Sequence, residues 1–302
     1  MEAFRFGFIG IYRFGLTESA MIHLSFFQGI VLAIIQGITE LFPVSSLAHG
    51  VILPKLFGWH INRQSEGFLP FLVVLHLGTA LALLLYFYKD WISLFKGFFT
   101  GIKNRNLNIN EDSKTLYLLA LATIPTGLIG LIFVHKLKRL FGFTDIAAVF
   151  LMVNGIILYL GEKKRRKQGI AKIADMTIAA ALIIGVFQSF ALIPGISRSA
   201  ITMVAALYLG FKHEYAAKFS FLLATPIIFA AGLLEVPKMI KLHLLTFDAL
   251  SLTSGIVAGI AAYFSVWFLM KYFHKYEINA LFPFAFYCII FGAFVLTYRI
   301  AF

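Results

Sequence analysis

Two short polar islands interrupt a strongly apolar chain, and they carry the residues able to do chemistry. The first runs Gln36-Gly37-Ile38-Thr39-Glu40-Leu41-Phe42-Pro43-Val44-Ser45-Ser46-Leu47-Ala48-His49. The second is Pro194-Gly195-Ile196-Ser197-Arg198-Ser199. Between them they hold a carboxylate, an imidazole, a guanidinium and four serine hydroxyls, a set suited to binding and cleaving a phosphate ester or anhydride. Gln36 and Glu40 stand four apart, on one face of a helix. A carboxylate beside an amide oxygen suits a hard divalent cation, Mg²⁺ or Ca²⁺, with phosphate oxygens completing its shell. A buried Glu40–Arg198 pair is the alternative reading, compatible with a functional one. Ser46 precedes His49 by three, so a hydroxyl and an imidazole share a helical face as a minimal activated nucleophile. Ser45 reads as an N-cap and, with Ser197, Ser199 and Arg198, as a candidate phosphate-binding residue. Ser197 and Ser199 divide evenly between capping and contact with a phosphate at a helix start. Arg198, with no acid near it in sequence, offers a planar fork for two phosphate oxygens.

These groups lie where a bilayer core would be. The chain has 302 residues, 60% hydrophobic and 13% charged, against about 25% charged in soluble domains. That composition specifies a polytopic membrane protein. A charge at mid-membrane costs about 2.5–3.5 kcal/mol on insertion scales, so intramembrane ionisable groups point to function. The net charge of +12 sits in short loops. It fits lipid headgroups and topology control, not nucleic acid. The single cysteine, Cys288, excludes an intrachain disulfide framework.

The elements that position the islands are helices. Apolar segments run 24–38, 69–88, 116–134, 145–160, 176–193, 200–210, 217–234, 250–270 and 281–300. Those at 24–38, 176–193 and 200–210 are short and broken, as re-entrant or discontinuous helices are. Gln36 precedes Pro43 and a Ser-Ser pair; Gln188 precedes Pro194 and Ser-Arg-Ser. Matched interruptions in two halves predict an all-α, inverted-topology repeat with the site at the repeat interface. The repeats span about 23–160 and 176–302 of one membrane domain. The basic loop 161–175, with Lys163-Lys164-Arg165-Arg166-Lys167, joins them. Lys and Arg favour the loops 89–114, 161–175, 211–218 and 271–280, which the positive-inside rule places in the cytoplasm with both termini outside. Residues 1–22 read as an interfacial extension, with Met21 as an alternative start. Gly255-x-x-x-Gly259 is a helix-packing motif. His76, Gly78 and Thr79, in a spanning helix, could line the cavity, with packing as the favoured reading.

Taken together, the islands resemble those of the undecaprenyl-diphosphate phosphatases, also called bacitracin-resistance proteins. That family shows [E/Q]-x-x-x-E, then P-V-S-S-x-x-H, and later P-G-x-S-R-S. The likeness continues through Lys218-Phe219-Ser220-Phe221-Leu222-Leu223-Ala224-Thr225-Pro226 and covers the chain from about residue 22. Departures are Leu47-Ala48 where Thr-Gly is usual, Ile196 for Thr and Ala200 for Gly. The resemblance implies a plasma-membrane enzyme that converts undecaprenyl diphosphate to undecaprenyl phosphate and phosphate. Such an enzyme recycles the carrier lipid for cell-wall synthesis and confers bacitracin resistance. It implies Glu40 as the acidic site residue, Ser46 as nucleophile, His49 as acid/base or rival nucleophile, and Arg198 as phosphate clamp. It also implies a divalent cation and a site opening to the outer face. The partners implied are a polyprenyl diphosphate, the membrane and, as an open expectation, a second copy of the chain. The runner-up is a lipid-phosphate transporter or flippase, because broken midplane helices also mark transporters. A structural or assembly factor ranks last, since it gives Glu40, His49 and Arg198 no purpose.

Overall fold

A computed structural model describes residues 24–59, 61, 68–108, 110–140, 143–164, 169–241 and 249–301. The expected 1–22 extension and most of the basic run lie outside them. The described residues form eleven α-helices: α1 (Phe26–Thr39), α2 (Ser46–Leu56), α3 (Phe68–Tyr86), α4 (Tyr88–Lys103), α5 (Glu111–Leu140), α6 (Thr144–Lys164), α7 (Ile178–Ser189), α8 (Arg198–Tyr208), α9 (His213–Lys241), α10 (Ala249–Lys275) and α11 (Phe282–Ala301). The chain is thus an all-α polytopic membrane protein. α5, α6, α9 and α10 are each long and apolar enough to cross a bilayer.

Both islands are breaks between two short helices. α1 starts in a capping box, with Gln28 N–H donating to Ser25 Oγ and Ser25 N–H to Gln28 Oε1. It has 14 residues and α2 has 11; α7 has 12 and α8 has 11. At 1.5 Å per residue each reaches at most about 21 Å, short of the ~30 Å hydrocarbon core. Pro43 and Pro194 cannot continue a helix, and the serines behind them cap the next one. Ser45 Oγ accepts from Ala48 N–H at 3.4 Å, and Ser197 Oγ from Ala200 N–H at 3.3 Å. The second break needs a glycine. Gly195 has φ of +107°, and a Cβ there would lie 2.6 Å from the Ala147 carbonyl oxygen of α6.

The two halves pack crosswise. α1 lies against α10, α7 against α5, and α6 pairs with α11 along its length. Gly78 of α3 lies directly on Gly255 and beside Gly259 of α10. The small-residue motif therefore lets two helix backbones touch, as the sequence predicts. Large apolar side chains such as Ile132, Leu233, Ile256, Phe264 and Ile290 remain exposed, which is the surface a lipid-facing protein presents.

One region departs from the expectation. The segment 89–114, read as a loop, is largely α4, bent by 76° from α3 at Phe87. Trp91, Leu94, Gly97 and Gly101 form its buried face, while Ile92, Phe95, Phe99 and Ile102 are exposed. The 3.6-residue period there outweighs its Lys content.

Candidate active site

The structure brings the islands together. Ser46 is the first residue of α2 and Arg198 the first of α8, so two helix starts face one site. Glu40, at the end of α1, lies between them. Its Oε2 accepts from Ser46 Oγ at 2.7 Å and from Gln36 Nε2 at 3.1 Å, and its Oε1 accepts from Arg198 Nη2 at 3.3 Å. The expected Glu40–Arg198 meeting is therefore direct contact, across 158 positions of sequence. Arg198 Nη1 donates to the Ser220 carbonyl at 3.0 Å, which fixes the guanidinium plane. Its buried Nε has no partner among the described residues.

The island backbones are locked by a residue from neither. Asn154 of α6, fully buried, donates from Nδ2 to the Pro43 carbonyl at 3.0 Å and accepts at Oδ1 from Ser197 N–H at 2.9 Å. Ser199 Oγ reaches the Phe42 carbonyl at 3.3 Å. Ser45, which precedes the paired serine, sits at φ of +68°, a conformation costly for a non-glycine residue and common at working sites.

A cavity of about 320 Å³ opens beside these groups. Glu40, Ser45, Ser46, Ser197 and Arg198 supply its first polar wall. His76, Thr126, Gln188 and Glu235 add to it, and the apolar remainder includes Leu72, Val73, Leu192, Ile227 and Ile228. A polar end on an apolar trough suits a charged headgroup carried by a lipid tail.

Several expectations need correction. His49 does not reach Ser46. Its Nδ1 bonds the Ser45 carbonyl at 2.7 Å and its Nε2 the Tyr287 hydroxyl at 2.7 Å. The ring packs nearly parallel against both Tyr287 and Phe291 of α11 and is absent from the cavity lining. Three-residue spacing put the two side chains on one face, but Ser46 turns back to Glu40, and an aromatic slot captures the imidazole. In this arrangement His49 ties the first island to α11. Ser199 is fully buried and bonded to backbone and to Ser197 Oγ; it does not line the cavity, whereas Ser45 and Ser197 do. His76, read as a packing residue, lies at the site. Its Nδ1 bonds the Leu72 carbonyl at 2.8 Å, and its Nε2 is 3.5 Å from Glu40 Oε2. The available signal was an imidazole within an apolar span. Thr79 does pack, donating to the His76 carbonyl at 2.7 Å while fully buried.

The residues present do not fit a resident divalent cation. Gln36 turns its NH₂, not its oxygen, to Glu40. Both Glu40 oxygens already accept hydrogen bonds, one of them from a guanidinium. Among the described residues no group of three His, Cys, Asp or Glu side chains converges on a metal-sized space. The Gln36–Glu40 spacing read as a ligand pair for Mg²⁺ or Ca²⁺ is taken up here by a hydrogen bond, which leaves that expectation to the family resemblance and to the oxygens a diphosphate itself would bring.

Comparison with known proteins agrees with this architecture. A family described as bacitracin resistance protein BacA matches residues 29–294. Undecaprenyl-diphosphatase 2 of Chromobacterium violaceum is 45% identical over 274 residues, covering 90% of this chain and 98% of the relative. The protein of that name from Oenococcus oeni is 43% identical, covering 91% and 98%. That from Burkholderia ambifaria is 47% identical, covering 88% and 94%. With the match running through both islands and nearly every helix between and after them, the chain belongs to the BacA bacitracin-resistance family.

Proposed function

We propose that this protein is a membrane phosphatase that hydrolyses undecaprenyl diphosphate to undecaprenyl phosphate and inorganic phosphate, which supports cell-wall synthesis and bacitracin resistance. The observation that carries the reading is the Ser46 hydroxyl donating to a buried carboxylate at 2.7 Å, in a cavity that also holds Arg198. Ser46 Oγ attacks the terminal phosphorus while Glu40 accepts its proton. The bond to the bridging oxygen breaks, and undecaprenyl phosphate leaves. Arg198 holds the transferring phosphoryl group, aided by the starts of α2 and α8, whose N–H groups favour an anion. Phosphoryl transfer depends mainly on such positioning and charge neutralisation. Neither island contributes alone: the nucleophile and its base come from the first, the clamp from the second. Nothing in the geometry favours the transporter reading.

The cavity wall includes the first half of α3, at Leu72 to His76, and the second half of α9, at Ile227 to Glu235. These adjoin the segments 50–68 and 235–248, which the charge distribution places outside. This supports a site that opens to the outer face of a bacterial plasma membrane.

The test is phosphate release by purified protein from undecaprenyl diphosphate in detergent micelles. Wild type releases phosphate; a pure transporter releases none. Ser46→Ala lowers kcat at least about a thousandfold, as loss of a nucleophile does, while Ser45→Ala keeps most of it. Arg198→Lys retains charge but not the fork and loses at least about a hundredfold. Near-normal turnover by Ser46→Ala removes the serine from the mechanism.

A further inference from the structure

A second polar group faces the same cavity from the other half of the molecule. Gln188 lies in the last turn of the first short helix of the second island, as Gln36 does in that of the first, but its amide is engaged differently. Its Nε2 donates to Thr126 Oγ1 at 3.1 Å. Thr126 gives its own proton to the Gly185 carbonyl at 3.0 Å, so toward Gln188 it can only accept. That fixes the amide with NH₂ toward Thr126 and Oε1 away from it. Gln188 is 1% exposed and lines the cavity, and Oε1 has no partner among the described residues. A buried acceptor left unmatched loses its hydration with nothing in return, so its place at a reaction cavity calls for a donor from the ligand side. The phosphoryl oxygens of a diphosphate are themselves acceptors. The donor that chemistry supplies is the O–H of a nucleophilic water.

We propose that Gln188, held by Thr126, is the residue that positions the hydrolytic water for release of phosphate from Ser46. This rests on Ser46 being the nucleophile. The geometry required is in-line: water must reach phosphorus from the side opposite Ser46 Oγ. Ser46 stands on α2, which packs on α1 and α6; Gln188 stands on α7, which packs on α5 and α8. The two line the cavity from different halves. In the step, the water oxygen bonds to phosphorus and the P–Oγ bond breaks. Glu40 returns the proton it took from Ser46, one water proton passes to solvent, and the other stays on the product as hydrogen phosphate. Gln188 accepts a hydrogen bond throughout and exchanges no proton.

The experiment is acid-quenched single turnover of purified protein with undecaprenyl diphosphate carrying ³²P in the terminal phosphate. In Gln188→Leu, about one equivalent of undecaprenyl phosphate forms rapidly, phosphate release slows at least tenfold, and ³²P stays on the protein. Label on Gln188→Leu exceeds that on wild type and vanishes in the Gln188→Leu/Ser46→Ala double variant. Thr126→Val, which frees the amide to turn, changes the label in the same direction by a smaller amount. It carries the test if Gln188→Leu does not fold. A merely structural role would slow both products together and leave the label unchanged. If wild type is labelled on Ser46 and the variants are no more so, the assignment of Gln188 is wrong while the serine step stands. If wild type and variants alike carry no label, the serine step fails and takes the proposal with it.

Discussion

Glu40 accepts from a serine, an amide and a guanidinium at once, and this explains how a carboxylate is held charged inside an apolar protein. The same arrangement divides the two histidines near it by role. His76 faces the carboxylate and the cavity; His49 faces an aromatic slot. Sequence spacing favoured the opposite assignment. An imidazole three residues after a serine is a local pattern, whereas Tyr287, which binds His49, lies 238 residues away. Only the crossing of helices decides which ring meets which partner. The polar character of the islands, by contrast, was legible because each charge stands out against an apolar background. If His49 ties the island to α11, His49→Ala lowers activity and thermal stability together, since it removes the ring's hydrogen bonds to the Ser45 carbonyl and the Tyr287 hydroxyl, each contributing about 0.5–1.5 kcal/mol. His49→Asn, whose amide can still donate to that carbonyl, recovers a large part of both. Thermal unfolding in detergent beside kcat checks this; a proton-transfer role would leave Asn as inactive as Ala.

The broken helix is the element that makes the site. Its breaks were readable because proline followed by a capping serine is a local signal that tertiary packing seldom overrides. α4 was less so. Its Lys89, Lys96 and Lys103 suggest a loop, while the stripe of Trp91, Leu94, Gly97 and Gly101 has meaning only once α5 lies against it. The second break also depends on backbone geometry that few residues tolerate. Gly195→Ala must either leave φ of +107° or drive its Cβ into Phe150 and the Ala147 carbonyl of α6. The strain is about 1–3 kcal/mol, and relief means shifting Ser197 and Arg198. The expected result is a lowered Tm together with at least a tenfold loss of kcat. Gly50→Ala, with nothing within 4 Å of the added methyl, serves as the control. Equal behaviour of the two variants would detach the break from the site.

At the scale of the molecule, the site exists only where the two halves interlock, so whatever holds the halves in register acts on catalysis from a distance. Asn154 does this at the site itself. At the helix ends bearing the α8–α9 and α10–α11 turns, a second buried polar cluster does the same. Glu162 of α6 pairs with His213 of α9 at 2.8 Å and accepts from Asn279 N–H at 2.9 Å and Leu281 N–H at 3.2 Å in the α10–α11 turn. Glu277 adds a second carboxylate 3.6 Å from the His213 ring. His213 is fully buried and stacks on Phe273 of α10. Three elements from both sides of the basic linker, α6, α9 and the α10–α11 turn, thus share one carboxylate, and none of these residues lines the cavity. Its Glu and His were visible in sequence, but they lie 51 positions apart and no motif links them. Removing one partner of a buried pair strands the other at about 3–5 kcal/mol, and Glu162→Ala also orphans two backbone N–H groups. Glu162→Ala is therefore expected to cut the yield of monodisperse protein and lower its Tm by several degrees. The fraction that folds keeps the wild-type KM, because the headgroup contacts are untouched. Measuring Tm and KM on the same preparation separates the two effects. A raised KM with an unchanged Tm would place Glu162 on the substrate path instead of in the frame.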